Sequence, residues 1–105
     1  MAYRITITQV AKSQLLDLPV WEQRIISDGV AARLRDQPAS PSRAIKRLRP
    51  NPLADFELRL GDLRILYKVG VEVEEVLVVL IGRKVGNALI VEGEEFHGHE
   101  SDPVE

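Results

Sequence analysis

Glu57-Leu-Arg-Leu-Gly-Asp-Leu-Arg-Ile-Leu-Tyr67 (ELRLGDLRILY) decides the fold of this chain. Gly61-Asp62 sits between two apolar-rich runs, the signature of a two-residue hairpin loop. With that loop, Leu60 faces Leu63, Arg59 faces Arg64, Leu58 faces Ile65 and Phe56 faces Tyr67. Strand side chains alternate between faces with period two. One face then carries Phe56, Leu58, Leu60, Leu63, Ile65 and Tyr67. The other carries Glu57, Arg59, Arg64 and Leu66. Like charges directly opposite one another destabilise a sheet, so the two arginines call for a reason.

The neighbouring segments extend the sheet. Glu75 to Arg83 reads as a third strand, apolar on both sides from Val76 to Ile81 and therefore central and covered on both faces. Ala88 to Val91 reads as one more short strand. Upstream, residues 37–42 (QPASPS) form a loop on composition, and the basic stretch from Arg43 to Pro52 holds a short extended piece near Ile45 to Leu48. At the start, Tyr3 to Thr8 alternates as a strand, with Tyr3, Ile5 and Ile7 on one face. Thr8 caps a helix running to about Leu18, with Ala11, Leu15 and Leu18 on one stripe. Pro19 stops it. A second helix runs from Val20 to about Asp36 on Ile26, Val30 and Leu34, its stripe widened by Ile25 and Ala31. Gly29 costs about 1 kcal/mol against alanine there and marks a place for a bend. Trp21 reads as a packing residue between the helices. The order is α+β: an N-terminal strand, an antiparallel helical hairpin, then an antiparallel β meander.

At 105 residues the chain is read as one domain over residues 1–91, followed by an acidic tail over 92–105 that is expected to be flexible. There is no cysteine, which excludes disulfides and thiolate metal sites. The N-terminus lacks the apolar block of a signal peptide, and VLVVLIG (Val76 to Gly82) is too short to span a bilayer. A cytoplasmic protein without membrane contact is the natural reading. The net charge of −2 hides an asymmetry: Arg43 to Lys68 holds seven basic and three acidic residues, whereas Val85 to Glu105 holds six acidic residues and no lysine or arginine. A local basic surface is therefore expected.

If helices cover the apolar face of the hairpin, Glu57, Arg59 and Arg64 lie on the far, open face. Arg83 and Lys84 end the central strand close by, and one of them points the same way. Guanidinium groups without matching carboxylates suit phosphate, which they grip bidentately and at any working pH. The plainer reading pairs Arg59 with Glu57 or Asp62, and Arg64 with another carboxylate, as on many solvated sheet faces. Arg43, Lys46, Arg47 and Arg49 either contact RNA phosphates or form a solvated loop. Tyr67 is in phase with the core face and reads as structural. His97, His99 and Glu100 have the look of metal ligands, but an HxH pair in an acidic tail lacks the further ligands a site needs. No metal and no cofactor is expected.

The run FELRLGDLRILY followed by VLVVLIGRK resembles the RelE/ParE superfamily of type II toxin–antitoxin toxins. The shared pattern is Leu58, Arg59, Gly61, Arg64 and Tyr67, then Gly82, Arg83 and Lys84. The resemblance extends over about residues 2–91 and implies the order β-α-α-β-β-β. It implies a toxin that cleaves mRNA on the ribosome by attack of a ribose 2′-hydroxyl on the adjacent phosphate, without metal. Arg59, Arg64 and Lys84, or Arg83, match basic residues of the family's active groove. Glu57 stands where lysine is frequent, either as a base or as the ion-pair partner of Arg59. Ala88, Leu89 and Ile90 stand where RelE-type enzymes often carry a tyrosine or histidine. The same resemblance thus covers a ParE-like, non-enzymatic toxin of DNA gyrase and a decayed toxin that only binds its antitoxin. In each case the implied partner is a cognate antitoxin, a segment folding on binding across the arginine face, in a hetero-oligomer.

Overall fold

The computed structural model describes residues 2–97. Strand β1 (Arg4–Ile7) is followed by α1 (Gln9–Leu16) and α2 (Val20–Leu34). Then come β2 (Ile45–Arg47), β3 (Phe56–Leu60), β4 (Leu63–Gly70), β5 (Glu75–Val85), β6 (Ala88–Val91) and β7 (Glu94–Phe96). The sheet runs β2-β3-β4-β5-β6-β7 in antiparallel pairs, and β1 joins it parallel to β5. β5 is thus the centre, with β4 along one side and β1, then β6, along the other. Between β1 and β6 the Ile81 N–H would be left without a strand partner. Gln14 of α1 is buried there, and its Oε1 accepts that N–H at 2.9 Å.

Local signals explain the element ends. Thr8 Oγ1 accepts the Ala11 N–H at 3.1 Å and caps α1. Pro19 is the N-cap of α2, and Gln23 Nε2 reaches back to the Leu18 carbonyl at 2.8 Å. α2 runs through Gly29 without interruption; the missing side chain makes room for Leu60, whose Cδ1 would lie 2.5 Å from a Cβ. In the β3–β4 loop the left-handed φ of 62° falls on Gly61, and Asp62 is not left-handed. That places glycine at the first loop position, where a two-residue turn that follows the sheet's twist wants it.

The helices cover one sheet face. Ala11, Ile26, Leu34, Ile45, Phe56, Leu58, Leu63, Ile65, Tyr67, Val76, Val78 and Ile81 form that core. Tyr67 is fully buried, stacks on Phe56 at 5.7 Å and donates its hydroxyl to the Pro38 carbonyl at 2.6 Å. It is structural, tying the loop after α2 to the sheet. Burial pushes its hydroxyl pKa up. The folded state therefore holds the proton more tightly than the unfolded chain, whose tyrosine titrates near ~10. Stability from this group is complete below that pH and is lost as pH rises beyond it. In urea titrations from about pH 8 to about pH 11.5, Tyr67→Phe should be less stable by about 1–2 kcal/mol at the lower end and should lose less stability across the range than the parent.

Four expectations are corrected. Trp21 does not lie between the helices: it is 64% exposed, and Leu16 and Val20 near it in the chain are exposed as well. Ile25 and Ala31 are also exposed, so the buried stripe of α2 is narrower than its composition suggests. The second sheet face is not open. Ala54, Leu66, Leu80, Leu89 and Val91 form a second apolar cluster on it, flanked by Leu48, Leu53 and Phe96. Its cover comes from the 48–54 connection and from the β6–β7 hairpin. The sheet also continues past residue 91 through β7, within the stretch read as a tail. His99 and Glu100 lie outside the described residues. Among the described residues no helix is long and apolar enough to cross a membrane.

Candidate functional site

The hairpin register matches the sequence pattern in full, from Phe56 opposite Tyr67 to Leu60 opposite Leu63. Arg59 and Arg64 are therefore neighbours on one face, as expected. Across the next ladder Arg64 faces Gly82, which puts Lys84, two residues on, on the same side as Arg64. On the other flank Lys46 of β2 faces Glu57. Lys46, Arg59, Arg64 and Lys84 thus share this face, Arg59, Arg64 and Lys84 toward its turn end and Lys46 level with Glu57, with the second apolar cluster beside them.

The two arginines are held differently. Arg59 Nε donates to Glu57 Oε1 at 3.2 Å, and the Glu57 side chain is only 9% exposed against 39% for Arg59. The plainer reading therefore applies to Arg59 in part: Glu57 holds its guanidinium at one edge. Arg64 folds back over its own loop instead. Its Nη1 donates to the Gly61 carbonyl at 2.7 Å and to the Leu63 carbonyl at 2.9 Å. Its Nε is buried without a partner. Neutral carbonyls fix the Arg64 side chain without cancelling its charge.

Gly82 is required by close approach. A Cβ at this position would lie 2.6 Å from the Ile90 carbonyl oxygen and 2.9 Å from Val91 Cγ2. β6 therefore passes directly against Gly82, on the far side of β5 from Arg64, and only glycine leaves it room. Gly82→Ala should cost about 1–3 kcal/mol, read as a lower urea midpoint, because backbone rather than a pliable side chain must move.

Arg83 lies on the opposite side of the sheet from Lys84. β5 carries a bulge at Val79, where the register with Leu66 and Tyr67 shifts. One extra residue reverses the alternation, so Ile81 and Arg83 join the helix-covered face. Arg83 Nη2 and Nη1 donate to the Glu22 carboxylate at 2.6 and 2.9 Å, and Nη1 reaches Asp62 Oδ2 at 3.3 Å. These hydrogen bonds, Glu22 first, raise the guanidinium pKa further. Glu22 is 4% exposed and was not picked out from the sequence. Its signal was there: it precedes Ile26, Val30 and Leu34 by steps of four, which puts a carboxylate on the buried stripe.

The basic run after the 37–42 loop is divided. Lys46 shares the Glu57 face. Arg47 faces Phe56 and lies over its ring, 5.0 Å from the centroid. Arg43 and Arg49 are exposed. A groove of about 390 Å³ opens beside Arg47, Leu48, Asp55, Phe56 and Val69, away from the Arg59–Arg64 pair. His97 Nε2 lies 3.8 Å from Glu95 Oε2 at the end of the described chain.

Chemically, this face can bind an anionic backbone and stabilise charge built on it. Its tyrosine is turned away into the core.

Solved structures share this architecture. A chain of the RelBE2 toxin–antitoxin complex from Mycobacterium tuberculosis matches with a TM-score of 0.69 at 24% identity, over 80% of this chain and 100% of the other. A chain of the archaeal RelE–RelB complex from Pyrococcus horikoshii matches with a TM-score of 0.66 at 21% identity, over 84% of this chain and 100% of the other. No protein-family model matches the chain, and no curated protein matches it in sequence. The likeness is one of fold, and the fold is RelE-like α+β.

Proposed function

We propose that this chain is the toxin of a type II toxin–antitoxin pair and cleaves mRNA on the ribosome, without metal, through attack of a ribose 2′-hydroxyl on the adjacent phosphate. One observation carries the reading: Arg59 and Arg64 stand side by side with Lys84 on one sheet face, and the contacts of Arg64 given above are to backbone carbonyls. Such a face suits a phosphodiester whose charge grows as a fifth oxygen approaches phosphorus. Preorganised cations are worth most at that moment. Arg64 and Lys84 would stabilise the phosphorane, and Arg59, held by Glu57, would bind the neighbouring backbone. Lys46, Arg43 and Arg49 would extend the contact to flanking phosphates. Glu57 serves here as the residue that orients Arg59, since its carboxylate is buried and engaged. Likeness to chains from the RelBE2 and RelE–RelB complexes supports a cognate antitoxin as the partner, in a hetero-oligomer; on this reading the chain acts in the cytoplasm.

The test is toe-printing of a defined mRNA on purified ribosomes with and without the protein. New stops in the decoding site support the proposal; intact mRNA overturns it. A second reading, a ParE-like toxin of DNA gyrase, is favoured by the exposed Leu16, Val20 and Trp21 at the tip of the helical hairpin. Inhibited supercoiling with translation intact would select it.

A further inference from the structure

The β3–β4 loop is held from three directions. On the helix side, Arg83 bridges Asp62 and the buried Glu22 in the first turn of α2. In the plane of the sheet, the Lys84 N–H donates to the Asp62 carbonyl at 2.7 Å. On the basic side, Arg64 closes over the Gly61 and Leu63 carbonyls. Further along α2, Leu60 sits where Gly29 has no side chain. The hairpin end is thus joined to α2 at two points, and consecutive residues of β5 grip one loop residue from different sides. The Arg64 guanidinium has its place only while those loop carbonyls keep theirs.

We infer that Arg83 is a positioning residue: the Glu22–Arg83–Asp62 bridge anchors the loop to α2 and so sets where Arg64 and Lys84 present their charges on the opposite face. The consequence for RNA rests on the function proposed above; the effect on Arg64 does not. A fork donor suits the task, because two carboxylates from different elements are reached by one planar group.

The test uses the full chain labelled with ¹⁵N. The double variant Glu22→Gln/Arg83→Met removes the bridge without leaving a buried charge alone. Two quantities are read: hydrogen exchange at Arg64 Nε–H, and affinity for a short single-stranded RNA from about 50 to about 300 mM salt. The bridge-less variant should exchange at Arg64 about tenfold faster through local opening. Its RNA affinity should drop about tenfold, with the slope of log affinity on log salt unchanged. Lys84→Met, by contrast, should lower that slope by about 0.7, the value for one lost phosphate contact on a single strand. Arg83→Lys should restore part of the Arg64 protection. Unchanged Arg64 exchange in the folded double variant overturns the inference. So does a slope lowered by about 0.7, which would make Arg83 a direct phosphate contact. If the double variant does not fold, Asp62→Ala gives the same exchange readout, because that exposed side chain is the loop's only acceptor for Arg83 given above, and an unchanged rate is again fatal. If the parent protein binds no RNA while Arg64 exchange responds as stated, the positioning role stands and the nuclease reading falls.

Discussion

Arg64→Ala should lower the rate of mRNA cleavage on ribosomes by about 10²- to 10³-fold, the loss expected when one preorganised charge-stabilising group is removed. The side chain is suited to so large an effect. Its guanidinium is held by two loop carbonyls, so little has to reorganise when charge develops on a phosphate. Its charge is independent of pH in any working range. The fold should survive the change. The loop is exposed, and water can replace the lost donors, so the stability cost should stay near ~1 kcal/mol. Arg59→Ala is a poorer experiment, because it leaves the buried Glu57 carboxylate without the partner at 3.2 Å. The measurement is single-turnover cleavage of a defined mRNA, with urea denaturation of the same preparation. Cleavage at parental rates by a folded Arg64→Ala variant would remove the arginine pair from the mechanism.

Leu66→Ala should destabilise the protein by about 3 kcal/mol, within the range of buried leucine truncations. Leu66 is fully buried in the second cluster with Leu80 and Leu89. An exposed position on an open sheet face would lose no more than about 0.5 kcal/mol. The two cases are far apart in a urea titration. The result also bears on function, because Leu66 follows Arg64 by two residues on the same face. The second cluster is the floor beside the cationic corner, and its loss should loosen β6 and β7 next to Gly82. A small effect would mean that the β6–β7 hairpin does not seal this face in solution.

Much of this was legible in the chain. The loop at Gly61-Asp62, the pairing of Arg59 with Arg64, the cap at Thr8 and the buried centre of β5 all follow from patterns a few residues long. Local patterns report local geometry, and period two with a two-residue loop leaves one register. Trp21 and Ile25 misled for the same reason: apolar character does not say whether a partner element lies opposite, and here none does within the described residues.

The chain alone determined that a β ribbon brings two arginines to one face beside a helix-covered core, because alternation and turn chemistry act over neighbours in sequence. Which of Arg83 and Lys84 joins them depended on the bulge at Val79, and the sealing of the second face depended on β6, β7 and the 48–54 connection folding back over it. Both are contacts between segments far apart in the chain, where burial and close packing choose among side-chain placements that local pattern leaves equal.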